Sequence, residues 1–345
     1  MTSSDHKSGD GIRSTRPTSA DVARQAGVSM KTVTRVFSGE AKVSPHTRTK
    51  VLEAARALRF RPNGLARDLR SGGISSTVGF VIGELANPFY AAVAAGAEAA
   101  LAQERLTLLL SATADLSRQE AQVVEAVLER RVRALLLVPA SQDHSYLDGE
   151  RQLGTPIVAV DRPLIDAVSD SVVFANREGA RVGTRALLDV GHRRIAFIGS
   201  RPTLYTHGER LIGYRDALRE WGIQPDPSLE LTEAPDIESA ARSTRSLLDR
   251  QSPPDAILVG NNRAAIGVLQ TLQELGASPG VIAFDDFDFA RTMGVSVIAH
   301  DDMEMGRVAA SMAIARFRGD TGPTRQVVLP TRPILRRSHV KDGLW

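Results

Sequence analysis

The 345-residue chain contains no cysteine. That absence excludes a disulfide framework, a thiolate-held zinc or iron–sulfur site, and a cysteine nucleophile. No apolar run approaches the roughly 18 residues that a membrane-spanning helix needs. Residues 1–17 are polar and lack the apolar stretch of a secretory signal. The nucleotide-cradling patterns G-x-x-x-x-G-K and G-x-G-x-x-G are missing, as is H-E-x-x-H, and the histidines show no paired ligand spacing. Gly276-Ala277-Ser278-Pro279-Gly280 fits G-x-S-x-G, but it follows a helical pattern and precedes a strand, the reverse of a nucleophile elbow. These absences predict a soluble cytoplasmic protein with no catalytic residues, no metal and no cofactor.

The charge that is present is unevenly placed. Residues 1–75 carry 14 Lys and Arg against 6 Asp and Glu, whereas the remainder carries 29 against 34. A basic head on an acidic body predicts that one end alone meets a polyanion. A solvated basic face is the rival reading, and the pattern inside the head has to decide.

Thr18 and Asp21 stand three apart before Val22 and Ala23, the spacing of a helix-starting capping box. Gly27 supplies the left-handed residue that ends this first helix. Ser29 caps a second, Met30 to Phe37, and Ser44-Pro45 opens a third over 45–58, with Val51, Leu52, Ala55 and Leu58 facing inward. Three residues between the first two helices and small Ala23 and Ala26 at their crossing predict a helix-turn-helix. A bundle without a DNA role is the alternative. After Pro62, the run Asn63 to Ser71 allows about two helical turns, too few to be stable alone. It reads either as a segment that orders on DNA or as a plain linker.

The residues Asp21-Val22-Ala23, Ala26-Gly27-Val28-Ser29, Thr32-Val33-Thr34-Arg35-Val36, Val43-Ser44, Thr47-Arg48 and Pro62-Asn63 through Leu69 resemble the head of the LacI/GalR (lactose-repressor) family of bacterial transcriptional regulators. The resemblance implies that helix 30–37 lies in the major groove, with Met30, Lys31 and Arg35 at base edges. Lys31 and Arg35 suit guanine, and Met30 suits a thymine methyl. Ser29, Thr32, Thr34, Ser44, Thr47 and Asn63 are the expected phosphate contacts. Ala66 and Leu69 are the expected minor-groove hinge residues, Leu69 as the wedge. Gly64 and Asp68 depart from the commoner hinge residues.

From Thr77 onward, apolar runs alternate with amphipathic stretches. Runs at 78–82, 106–110, 134–138, 157–160, 195–198, 256–259 and 281–284 read as buried parallel strands. Helices are expected near 90–103, 117–130, 178–190, 208–221, 237–250 and 262–275. The alternation predicts two doubly wound α/β lobes with a cleft between them, and ligands in such folds sit beyond the carboxyl ends of strands. His192 is expected in a helix-to-strand turn and His300 at the cleft.

Asn87-Pro88-Phe89-Tyr90, Val160-Asp161-Arg162-Pro163, Gly191 to Gly199, Gly208 to Tyr214 and Phe284-Asp285-Asp286 extend the family resemblance to about residue 338. It implies a periplasmic-binding-protein-like body whose cleft is lined by Phe89, Tyr90, Asp161, Arg162, Arg181, Asn262 and Asp285. It also implies three crossings between lobes, returning helix 303–318 to the first lobe while residues near 326–336 close the second. Asn262-Arg263 and Ala175-Asn176 depart from the family pattern, and Arg263 near Arg162 favours an anionic effector.

The predicted organisation is a disordered tail (1–17), a helix-turn-helix domain (18–61), a hinge (62–75) and a two-lobed effector-binding and dimerisation body (76–340). The expected function is a sequence-specific transcriptional regulator, a repressor, controlled by a small sugar or sugar derivative. Its expected partners are a palindromic double-stranded operator and a second copy in a homodimer, without a membrane. No leucine heptads follow Ser338 to build a tetramer. The alternatives are an α/β metabolic enzyme or a sugar-binding protein with a fused DNA-binding head.

Overall fold

The computed structural model describes residues 16–37, 42–61, 75–165, 167–341 and 343. The chain divides into two compact units, Met1–Ser75 and Ser76–Trp345.

The first unit holds α1 (Ser19–Ala26), α2 (Met30–Phe37) and α3 (Pro45–Ala57). Thr18 and Asp21 cap α1 reciprocally: the Asp21 N–H donates to Thr18 Oγ1, and the Thr18 N–H donates back to the Asp21 carboxylate at 2.9 Å. Gly27 follows at φ 65°, the left-handed geometry a side chain resists. Ser44 accepts the Thr47 N–H at 3.2 Å, with Pro45 in the first turn of α3. The core is small: Val22, Ala23, Val33, Val36, Val51, Ala54 and Ala55. Leu52, expected inward, is 37% exposed. A helix turns about 100° per residue, so burying Val51, Ala54 and Ala55 turns Leu52 away.

The second unit runs β1 (Thr77–Ile82), α4 (Pro88–Gln103), β2 (Thr107–Ala112), α5 (Ser117–Leu128), β3 (Leu135–Leu137), α6 (Asp148–Gln152), β4 (Ile157–Val160) and β5 (Asp170–Phe174). It then passes through α7 (Asn176–Asp189), β6 (Ile195–Ile198), α8 (Tyr205–Glu220), β7 (Glu230–Leu231), α9 (Ile237–Leu248), β8 (Ala256–Val259), α10 (Asn262–Leu275), β9 (Gly280–Phe284), α11 (Ala290–Met293) and β10 (Ser296–Ala299). It finishes with α12 (Asp302–Phe317), β11 (Gln326–Leu329) and β12 (Arg332–Ile334).

Two six-stranded sheets result, in the orders β11-β5-β4-β3-β1-β2 and β12-β10-β9-β8-β6-β7. The pairings are parallel except for β12, which runs antiparallel to β10. Successive strand residues point to opposite faces, and here both faces are covered. Phe80 and Leu136 pack toward α4 and α12, while Val81 and Leu135 pack toward α5. In the second sheet, Ile257 and Leu258 divide in the same way.

The chain crosses between sheets after β5, after β10 and after β11. The crossing after β10 brings α12 back against α4 of the first lobe. There Gly96 meets the Met303 carbonyl oxygen and Gly306 meets that of Val93, so a Cβ at either glycine would collide with backbone. Residues 326–329 extend the first sheet beside β5, and only β12 closes the second, which corrects the assignment of 326–336 as a whole. Strand β2 is an edge strand, half-exposed along its length rather than buried. Gly276 ends α10 at φ 61°, as a helix cap.

Candidate functional site

The carboxyl ends of both sheets converge on one cavity of about 320 Å³. Its first-lobe wall includes Glu84, Asn87, Phe89, Tyr90, Ala114, Asp115, Asp161 and Arg162. Its second-lobe wall includes Ser200, Arg201, Leu204, Thr206, His207, Arg210, Asp236, Asn261, Arg263 and Asp285. Backbone geometry aims several of these side chains. Ala114 and Asp115 leave β2 with φ 54° and 52°, and Asp161 and Asp285 leave β4 and β9 with φ 68° and 65°. Left-handed backbone at non-glycine residues costs energy, and it clusters where structure is held for a purpose. Each of the two aspartates is pinned by its own N–H, to Val172 and to Ile298 on the adjacent strand.

Arg162 organises the first wall. It is 4% exposed and donates to Asp115 at 2.8 Å, to the Pro139 carbonyl at 3.1 Å and to the Tyr90 hydroxyl at 3.1 Å. Its Nε lies 3.5 Å from Asp161 and makes no hydrogen bond. Asp161 is thus a buried carboxyl with one loose cationic neighbour. Burial outweighs Arg162 and Arg210 and pushes it up to about 6.

Asp285 is held differently. It accepts the Asn262 N–H at 3.1 Å and His300 Nε2 at 2.9 Å, and lies 3.4 Å from Arg210. Burial opposes its charge, but Arg210, His300 and the amide together hold the carboxyl well below the ordinary carboxylate range. His300 also bonds Asp302 through Nδ1. Both ring nitrogens face acceptors, so both carry protons. The two carboxylates overcome burial and raise this imidazole to about 9. Its ring stacks on Phe174 at 4.1 Å. Arg210 donates to Asn176 Oδ1 at 2.8 Å and to the Gly260 carbonyl at 2.6 Å.

Of the residues predicted for the cleft, Phe89, Tyr90, Asp161, Arg162 and Asp285 line the cavity. Asn262 stands one position behind it, its side chain donating to Asn87 Oδ1 at 3.0 Å across the lobes. His300, expected at the cleft, stands behind Asp285. Arg181 is a correction: it pairs with Glu178 at 2.9 Å and Glu220 at 3.1 Å on the outer surface of α7 and α8. Helical phase puts it one turn from Glu178, in a separate pocket with Phe174, Asn176 and Tyr205 rather than in the cleft cavity. Arg263 is answered by Glu84 of the opposite lobe at 3.0 Å, so it is not the open cation its sequence position suggested.

Sequence reasoning pointed to Asn261 by its place after the 256–259 strand and reached Arg210 only as part of Gly208 to Tyr214; it singled out none of Glu84, Asp115, Arg201, Thr206, His207 or Asp236. The strand-end rule would have reached Asp115 and Arg201, which follow β2 and β6, had it been applied to every strand.

In the first unit, Met30 is 57% exposed at the start of α2, Lys31 is exposed, and Arg35 is half-buried. Ser29 and Ser44 accept the N–H groups of Thr32 and Thr47 at the starts of α2 and α3, places suited to phosphate. Thr34 is half-buried on α2. Asn63, Ala66 and Leu69 lie outside the described residues.

Residues 18–63 match the family model described as bacterial regulatory proteins, lacI family, and residues 184–339 match that of a periplasmic binding protein-like domain. The chain is 31% identical over 327 residues to the ribose operon repressor of Escherichia coli K12, covering 92% of this chain and 98% of that one. A solved complex of the transcriptional regulator CelR with cellobiose is similar at TM-score 0.70 and 29% identity, covering 94% of this chain and all of that one. The lac repressor dimer bound to operator and the anti-inducer ONPF shares the fold at TM-score 0.81 and 23% identity, over 94% of this chain and 100% of that one.

Proposed function

Because the chain belongs to the lacI family of bacterial regulatory proteins, we propose that its helix-turn-helix reads an operator whose affinity is set by a sugar or sugar derivative held between the two lobes. The chain is a DNA-binding transcriptional regulator and not an enzyme, as are the relatives it resembles. The observation that carries the effector reading is the cavity itself. Its walls come from the carboxyl ends of two doubly wound sheets and combine aromatic rings with buried carboxylate–guanidinium pairs. Rings give a sugar an apolar face, and charged groups fix its hydroxyls bidentately.

Met30, Lys31 and Arg35 are the proposed base readers, and Ser29, Thr32, Thr34, Ser44, Thr47 and Asn63 the proposed phosphate contacts. Ala66 and Leu69 are the proposed minor-groove pair. Two copies bind the two halves of a palindrome, in the cytoplasm. Among the described residues no helix is long and apolar enough to cross a membrane. Effector binding shifts operator affinity by the difference between its affinities for the two states of the body, and by no more.

The test is selection of duplexes from a random pool by the purified protein, followed by affinity measurement with and without candidate sugars. A palindrome should be enriched, and Arg35→Ala should weaken binding by ~1–3 kcal/mol and relax the preference at one base pair. A pool that yields no common sequence overturns the reading.

A further inference from the structure

The acids and bases lining the cavity do not cancel evenly. Glu84 is answered by Arg263 at 3.0 Å and Asp115 by Arg162 at 2.8 Å. Asp236 is occupied in capping α9, accepting from the Ser239 N–H at 2.8 Å and hydroxyl at 2.7 Å. Asp285 is answered by Arg210, His300 and the Asn262 amide. Asp161 is the carboxyl left with one loose contact.

On the second-lobe wall the surplus is of donors, gathered at the start of α8. No side chain caps that helix, and its first-turn amides have no acceptor within the helix. Thr206, in that turn, is 3% exposed, and its hydroxyl has no partner among the described residues although it lines the cavity. His207 is 8% exposed, and its Nδ1 accepts the Ser200 N–H at 3.4 Å. Burial, with Arg210 and Arg162 nearby, pushes this imidazole down to about 3, so it is neutral and carries its proton on Nε2. Arg201, three residues before the N-cap, also lines the cavity and has no ion-pair partner among the described residues. Arg201, Thr206 and His207 thus line one stretch of the cavity at the start of α8, and none of the three has a carboxylate partner among the described residues.

Resting on the effector reading above, we propose that the effector is an acidic sugar whose anionic group seats at the start of α8 against Arg201, Thr206 and His207, while its hydroxyls reach Asp161. Carboxylate and phosphate share the required chemistry, as acceptors of charge-assisted hydrogen bonds at a helix N-terminus. The cavity lies at the small end of small-molecule pockets.

The experiment is calorimetric titration of the full chain with matched pairs. Gluconate, glucuronate and phosphorylated glucose are compared with glucose, and ribonate and phosphorylated ribose with ribose. Operator affinity is measured alongside. One acid should bind about 10- to 100-fold more tightly than its neutral parent, the span that a charge-assisted contact gives. Arg201→Ala and Thr206→Val should each shrink that preference, by about 10-fold for Arg201. The carboxylate and phosphate arms identify which anion is taken. A neutral parent that binds as tightly as its acids, or a preference untouched by Arg201→Ala, overturns the acidic-sugar proposal and leaves the effector reading standing. Failure of every compound to bind or to change operator affinity overturns both.

Discussion

The two lobes of the body are built to one plan and charged to two. Each sheet has the same strand order, and each ends a central strand with an aspartate in left-handed geometry, Asp161 after β4 and Asp285 after β9. The backbone is matched at the two positions, with φ 68° and 65°. The carboxyls nevertheless move in opposite directions, Asp161 up to about 6 and Asp285 far down. The difference is in what surrounds them. Asp285 has a buried arginine, a doubly bonded histidine and an amide, whereas Asp161 has the back of a guanidinium whose other nitrogens are already engaged. Fold duplicates position; neighbours assign charge. The second lobe carries a fixed anion as part of its frame, and the first offers a carboxyl still available to a ligand.

The largest effect that would break this comparison is expected from Asp285→Ala. It leaves Arg210 and protonated His300 buried without their shared counter-charge, and should lower stability by about 3–5 kcal/mol in urea unfolding. The same change at Asp161 should cost far less. A subtler pair is Asp285→Asn and Asp161→Asn, identical chemistry at matched positions. The first should destabilise at neutral pH. The second should stabilise by roughly 1–3 kcal/mol, since the wild-type carboxyl must be kept charged while buried. The raised Asp161 pKa means that the folded state binds its proton more tightly, so wild-type stability falls as pH climbs from about 4 through about 6. The Asp161→Asn advantage should therefore vanish near pH 4; an advantage that persists there would show that charge is not its source.

His300 gives a smaller, alkaline signature. Its folded value of about 9 lies above the ordinary 6.5, so its contribution is full below about pH 6.5 and is lost as pH rises through 9. Unfolding measured across that range should show the slope, and His300→Gln should remove it. The smallest expected effect is that of Glu84→Gln. Its pair with Arg263 is partly exposed and should be worth under about 1 kcal/mol, read as a shift of less than about 5-fold in effector affinity.

Local chemistry made the head legible. Thr18 and Asp21, Gly27, and Ser44 before Pro45 each fix a helix end through groups within four residues, and the structure uses each in that role. Central strands such as 157–160 and 256–259 were readable because burial on both faces leaves unbroken apolar runs. Strand β5 begins with Asp170, a buried carboxylate answered from far along the chain, by Arg316 at 2.6 Å and by the Arg325 N–H at 2.9 Å. Strand β7 is two residues long, and β10 opens on a serine that breaks its apolar run. In the cleft, position was legible and pairing was not. Phe89, Tyr90, Asp161, Arg162 and Asp285 follow strand ends and line the cavity, but Glu84 meeting Arg263, and His300 joining Asp285 to Asp302, are facts of tertiary approach with no local trace.

The return of α12 and β11 to the first lobe has a consequence for the order of biosynthesis. The first lobe is translated before the second, yet the helix that seals one face of its sheet and the strand that finishes its edge are encoded after β10. A nascent chain halted near residue 300 would present Phe80, Leu136 and Val158 to water on the side that α12 covers. The lobe that begins first on the ribosome therefore waits for most of the second to be made, and neither sheet has its last strand until β11 and β12 emerge in turn.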